Sequence, residues 1–157
     1  MNNKPLFNVS DSNLAGKKAL LLSTVWNAEM LAPMQNEILS VLKSKNIECV
    51  KMQCPGSLEL AATAKRYMTN NHIDGLIAIG LVVKGGTPHF KLVCNETYRS
   101  LSNLAYDFEN IPVINGVLTV ENLVQAEERI NPAKINKGNG SDKKKAWVLA
   151  GSCVQCV

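Results

Sequence analysis

The sequence predicts an α/β domain, a three-layer α/β/α sandwich in which helices cover both faces of a four-stranded parallel sheet. Two observations carry this: apolar strand-like runs alternate with helical patterns along the chain, and "DGLIAIGLVV" is apolar almost without interruption, as a strand buried on both faces must be. At 157 residues, 46% hydrophobic and 19% charged, the chain has the size and core-forming content of one domain, residues 1–157, with residues 1–16 as a polar N-terminal arm.

The elements follow in order. "KKALLLSTVW" reads as a strand and "EMLAPMQNEILSVLKSKN" as a helix, with Leu31, Met34, Ile38 and Leu42 on its inner face. Pro33 fits only near the helix start, because deeper it would remove a hydrogen bond and clash with the preceding turn. "IECVKMQC" alternates as a strand, Pro55 and Gly56 turn the chain, and "SLELAATAKRYMTNN" puts Leu60, Ala61, Ala64 and Met68 on one helical stripe. "DGLIAIGLVV" is followed by a helix whose inner stripe is Val93, Thr97, Leu101, Leu104 and Phe108. "IPVINGVLT" is the fourth strand and "VENLVQAEERI" a shorter helix starting near Glu121. The polar connector "NPAKINKGNG" leads to a last helix in "SDKKKAWVLAGSCVQCV", with Ser141 as its cap. A small open sheet has two edges, and edges invite pairing. An oligomer is therefore expected, with Pro5 to Ser10 either adding a strand to a neighbour's sheet or forming a disordered tail.

Several function classes are disfavoured. The polar start and the shortness of "ALLL" argue against a secretory leader or membrane span, so a cytoplasmic protein is expected. The odd, irregularly spaced set Cys49, Cys54, Cys94, Cys153 and Cys156 reads as reduced thiols, and the pair in "CVQC" lacks the second pair or histidine of a zinc site. The net charge of +4 is mild, and Lys143 to Lys145 carry no interleaved aromatics, so neither nucleic acid nor metal is expected as a partner.

In an open parallel sheet, ligands bind beyond the carboxyl ends of the strands. Those ends carry Val25 to Asn27, Pro55 to Glu59, Lys84 to His89 and Thr119. Gly85 and Gly86 permit close backbone approach, and a helix starting near Pro88 aims its free N–H groups at a bound phosphate, to which Thr87 can add a hydroxyl; the glycines could equally serve only the turn. His89 lies one turn before Val93, so its ring should point along the crevice floor, where the helix dipole favours the neutral form suited to proton transfer. The alternative is a histidine satisfying a loop. Glu59 either binds hydroxyls or complements the dipole of its helix, and Trp26 is either a platform for a planar ring or a core aromatic. Arg129 lies about 12 Å along its helix from the rim. It either serves a neighbouring subunit's crevice or stabilises a helix C-terminus.

"PGSLELA", "AIGLVVKGGTPHFKLVCNE", "IPVINGVLT", "QAEER" and "NKG", in this order and spacing between about Lys17 and Gly138, resemble the lumazine synthase family of riboflavin biosynthesis. The resemblance implies a flavodoxin-like fold and the formation of 6,7-dimethyl-8-ribityllumazine from 5-amino-6-(D-ribitylamino)uracil and 3,4-dihydroxy-2-butanone 4-phosphate, with no metal or organic cofactor. It implies that Trp26 stacks on the pyrimidine and that Ser57, Leu58 and Glu59 bind the ring and ribityl chain. Leu81, Val82 and Val83 would line the ring site, Gly86 and Thr87 would hold the phosphate, and His89 would transfer protons. Arg129 and Asn115 would come from a neighbour in a homo-pentamer, alone or in a sixty-subunit shell. Lys84 stands where the family has arginine, Gly86 often where it has glutamate or alanine, Leu58 for an aromatic, Lys91 for an acidic residue, and Asn115 for the aromatic offered to the neighbour's ring. Losing that stacking face costs about 0.5–1.5 kcal/mol of ring binding. The alternatives are a non-catalytic flavin or lumazine binder or shell protein, and, more weakly, a flavodoxin-like electron carrier, against which "STVWNAEM" lacks the usual Ser/Thr-rich loop.

Overall fold

A computed structural model describes residues 14–131. The Pro5–Ser10 strand, the connector from Pro132 onward, the last helix, Lys143 to Lys145 and the Cys153/Cys156 pair lie outside the described residues. Within them the order is β1 (Lys18–Thr24), α1 (Ala28–Ser44), β2 (Glu48–Cys54), a 3-10 turn (Ser57–Glu59), α2 (Leu60–Asn70), β3 (Gly75–Val83), α3 (His89–Asp107), β4 (Val113–Val120) and α4 (Leu123–Ile130).

The four strands pair in parallel in the order β2-β1-β3-β4, which places β1 and β3 at the centre. Alternation then decides which helix meets which side chain. Ala19, Leu21, Ile77, Ile79 and Leu81 face one way and pack with Leu31, Met34, Ile38 and Leu42 of α1 and with Ala126 and Ile130 of α4. Leu20, Leu22, Leu76 and Ala78 face the other way, onto Leu60, Ala61, Ala64 and Met68 of α2 and Leu101 and Leu104 of α3. Each wholly buried leucine or isoleucine contributes about 1.5–3 kcal/mol relative to exposure. The continuous apolar run of β3 is thus the signature of a strand with a helical layer on both sides.

α1 begins at Ala28, so Pro33 stands in its second turn, inside the helix but toward its start. Its ring denies the Glu29 carbonyl a helical N–H. The helix ends cleanly because Asn46 takes a left-handed φ of 54°, letting Asn46 N donate to Lys43 O and Ile47 N to Leu42 O, both at 3.0 Å. α4 starts at Leu123, two residues beyond the expected Glu121, because the Asn122 side chain accepts a hydrogen bond from Gln125 N and caps it. Below the sheet, Asp74 joins the entries of β1 and β3, accepting from Lys18 N at 2.8 Å and from Lys17 Nζ at 3.1 Å.

Candidate active site

The chain leaves β1 toward β2 on one side and reaches β3 on the other, so the crevice beyond β1 and β3 is the switch point where ligands bind in such sheets. A cleft of about 390 Å³ opens there, lined by Trp26, Asn27, Gly56, Ser57, Leu58, Glu59, Leu81, Val82, Val83, His89 and Val93. Its shape is set by bonds between loops. Val25 N donates to Cys54 O at 2.8 Å and Trp26 N to Pro55 O at 3.3 Å, which ties the exits of β1 and β2 together. Thr24 Oγ1 donates to Trp26 O at 2.8 Å.

Asn27 was not singled out in the sequence, although an asparagine opening a helix is a recognisable signal. It adopts a left-handed φ of 61° and does not cap α1 with its side chain. Its Nδ2 crosses the crevice to donate to Leu81 O at 3.0 Å. The Leu81 carbonyl is therefore occupied within the chain, and the cleft is lined further out by Val82 and Val83.

Trp26 is 72% exposed, which disposes of its reading as a core aromatic and leaves a large ring face at the cleft. Leu58 is also exposed beside it. Glu59 makes no capping hydrogen bond to α2, so its carboxylate is not spent on the helix end. Glu59 Oε2 lies 3.1 Å, and Trp26 Cδ1 3.7 Å, from the point a β-carbon on Gly56 would occupy. Gly56 thus leaves the space in which the carboxylate and the indole approach each other. Ser57 is only 8% exposed and packs against β3.

His89 is the first residue of α3 and lines the cleft as expected, but it is exposed rather than sheltered on the floor. Gly86 and Thr87 are exposed in the loop just before it. Neither Gly85 nor Gly86 has a left-handed φ, and a β-carbon on either would meet nothing within 4 Å. The turn therefore does not require them, and the backbone there stays open to approach. No side chain caps the N-terminus of α3, whose dipole and first-turn N–H groups favour an anion at that end.

Gly86 and Thr87 do not line the cleft, and two further predicted site residues stand apart from it. Asn115 lies on edge strand β4 opposite Ala78, about 16 Å by strand rise from the carboxyl end at Val120, with its Oδ1 accepting from Val117 N at 2.9 Å. Arg129 is half-buried near the end of α4, where its Nη1 donates to Gln125 O at 3.0 Å. Neither lines the cleft of its own chain. Lys84, at the mouth of the glycine loop, pairs with Glu121 Oε2 at 2.6 Å.

Among the described residues no cluster of three or more histidine, cysteine or acidic side chains is placed to hold a metal ion, and no helix is long and apolar enough to cross a membrane. The sequence model of 6,7-dimethyl-8-ribityllumazine synthase matches residues 16–157, spanning both the sheet and every residue of the cleft. That match and the all-parallel four-stranded sheet place the chain in the 6,7-dimethyl-8-ribityllumazine synthase family, enzymes of riboflavin biosynthesis that act on small molecules.

Proposed function

We propose that the chain is an active synthase that condenses 5-amino-6-(D-ribitylamino)uracil with 3,4-dihydroxy-2-butanone 4-phosphate, releasing phosphate and water. The observation that carries this reading is the convergence of an exposed indole, an uncommitted carboxylate and a histidine, Trp26, Glu59 and His89, on one cleft beside an open glycine pair. Trp26 stacks on the pyrimidine, Ser57, Leu58 and Glu59 hold the ring and its hydroxylated chain, and Val82 and Val83 supply backbone groups along the ring edge. Gly86, Thr87 and the start of α3 hold the phosphate.

The ring amine attacks the ketone carbonyl. His89 takes up the proton released by the attacking nitrogen and returns one to the departing oxygen, so that a first water leaves as the imine forms; proton removal then accompanies phosphate departure, and the ribityl-bearing nitrogen closes the ring on the carbonyl so formed with loss of a second water. Holding both substrates in line supplies much of the acceleration, and no metal or organic cofactor is needed for it. Arg129 reaches the phosphate in an adjoining subunit's cleft, which accounts for its distance from its own. The assembly is a cytoplasmic homo-pentamer, free or built into a sixty-subunit shell.

A second reading, a lumazine or flavin binder with little turnover, is favoured by Asn115, whose polar side chain is tied to its own strand where the family resemblance places an aromatic. Purified protein with both substrates, followed by lumazine absorbance and fluorescence after subtraction of the unaided condensation, separates the two. Turnover that falls in His89→Ala and falls further in Arg129→Ala supports the synthase. No turnover above background, with ribityllumazine still bound, supports the binder.

A further inference from the structure

The segment "ENLVQAEER" carries a capping box shifted by one residue, in which Asn122 caps the helix and Gln125 reaches back past it to Glu121. Asn122 Oδ1 accepts from Gln125 N at 3.0 Å, and Gln125 Oε1 reaches back to accept from Glu121 N at 2.9 Å. The same Gln125 uses its backbone carbonyl to accept Arg129 Nη1 at 3.0 Å. Glu121 in turn holds Lys84 Nζ at 2.6 Å, and Lys84 N donates to Val120 O at 2.9 Å. A run of bonds therefore leads from Lys84, the residue immediately before Gly85 and Gly86, through Glu121 and Gln125 to Arg129.

The geometry points to Gln125 as a positioning residue for the phosphate-binding arginine. This inference rests on the reading of Arg129 as the cation that closes on a neighbour's phosphate. A side chain on a helix leans toward the N-terminus, and the bond to Gln125 O draws the Arg129 guanidinium back one turn toward the sheet rim. An arginine left free would lose many rotamers on meeting an anion; one already held through one of its five N–H donors loses fewer. Gln125 fixes that carbonyl by locking the first turn of α4 onto the end of β4, and the Lys84–Glu121 pair fastens the same turn to the chain's own glycine loop. Arg129 near a helix C-terminus would by itself be ordinary dipole stabilisation, but its bond goes to a carbonyl one turn upstream.

The test compares the assembled protein with Gln125→Ala, Gln125→Glu, Glu121→Gln and Arg129→Ala, measuring inorganic phosphate binding by calorimetry, the KM for each substrate and the melting temperature. Loss of one positioning hydrogen bond in Gln125→Ala is expected to weaken phosphate binding, and raise the KM of the phosphate-bearing ketone, by about threefold to tenfold. The KM of the pyrimidine should stay within about twofold, and Gln125→Glu, which keeps an acceptor for Glu121 N, should restore the parent values within about twofold. Should Gln125→Ala fail to fold, Glu121→Gln keeps the capping box while weakening the Lys84 link, and is expected to shift phosphate binding in the same direction by about twofold to threefold. Unchanged phosphate binding in Gln125→Ala alongside a clear loss in Arg129→Ala overturns the positioning role and leaves the synthase reading standing. Equal movement of both KM values with the melting temperature also overturns it, as a purely structural role. Unchanged phosphate binding in Arg129→Ala removes the reading of the arginine itself.

Discussion

Ser57 Oγ lies 2.9 Å from the point a β-carbon on Gly80 would occupy, with Thr24 Cγ2 at 3.2 Å from the same point. Gly80 sits in the buried middle of β3, so the 3-10 turn carrying Ser57 and Glu59 packs onto the sheet only because β3 has no side chain there. Gly80→Ala should therefore cost about 1–3 kcal/mol of stability by overpacking and displace the Ser57 turn. Gly86→Ala, whose β-carbon meets nothing, should stay within about 0.5 kcal/mol of the parent. Urea unfolding of the two variants checks the contrast, and equal stabilities would refute it.

Trp26 is 72% exposed and packs little into the core. Trp26→Ala should leave stability within about 0.5 kcal/mol and weaken ribityllumazine binding by at least about 0.5–1.5 kcal/mol, the value of an aromatic stacking pair beyond its buried area. Calorimetric titration with ribityllumazine reads the second quantity. A large drop in melting temperature would instead return Trp26 to a structural role.

Burial works to raise the Asp74 pKa, but the Lys18 backbone N–H and the hydrogen bond and charge of Lys17, with a smaller contribution from His72, outweigh it and hold the carboxyl below its ordinary 3.8. A depressed carboxylate stabilises the fold above the unfolded-state value and loses that contribution as pH falls through the lower folded-state value. Asp74→Asn should thus be less stable than the parent by about 1–2 kcal/mol near neutrality, with the gap closing below pH 3.8. Denaturant midpoints across a pH series test the sign, and a gap that widens in acid would contradict it.

Burial, reinforced by the nearby Glu59 carboxylate, pushes the Cys54 thiol up to about 11. The thiol donates to Gly56 O at 3.3 Å. At pH 8 it should present about a hundredfold less thiolate than a cysteine at its ordinary value of 9.0, and should resist iodoacetamide in the folded protein. Peptide mass spectrometry after timed labelling follows it; rapid modification at Cys54 would mean that the loop between β2 and the Ser57 turn opens readily.

The alternation of strands and helices, the inner stripe Thr97, Leu101 and Leu104 of α3, and the gathering of Trp26, Glu59 and His89 at one rim were legible because periodicity and loop composition are local properties of the chain. The family resemblance was legible for the same reason, since its motifs are short and ordered. What the sequence by itself determined was thus the layered α/β architecture and the residue types available for chemistry. The exposure of His89, the missing cap at Glu59, the bond from Asn27 to Leu81, the seat of Ser57 on Gly80 and the run from Lys84 to Arg129 were decided only by the tertiary structure. The Asn27–Leu81 bond, the Ser57–Gly80 seat and the Lys84–Glu121 pair depend on strand order and register, which bring residues far apart in the chain to within hydrogen-bond or van der Waals distance, and no local pattern in a single chain encodes such a distance.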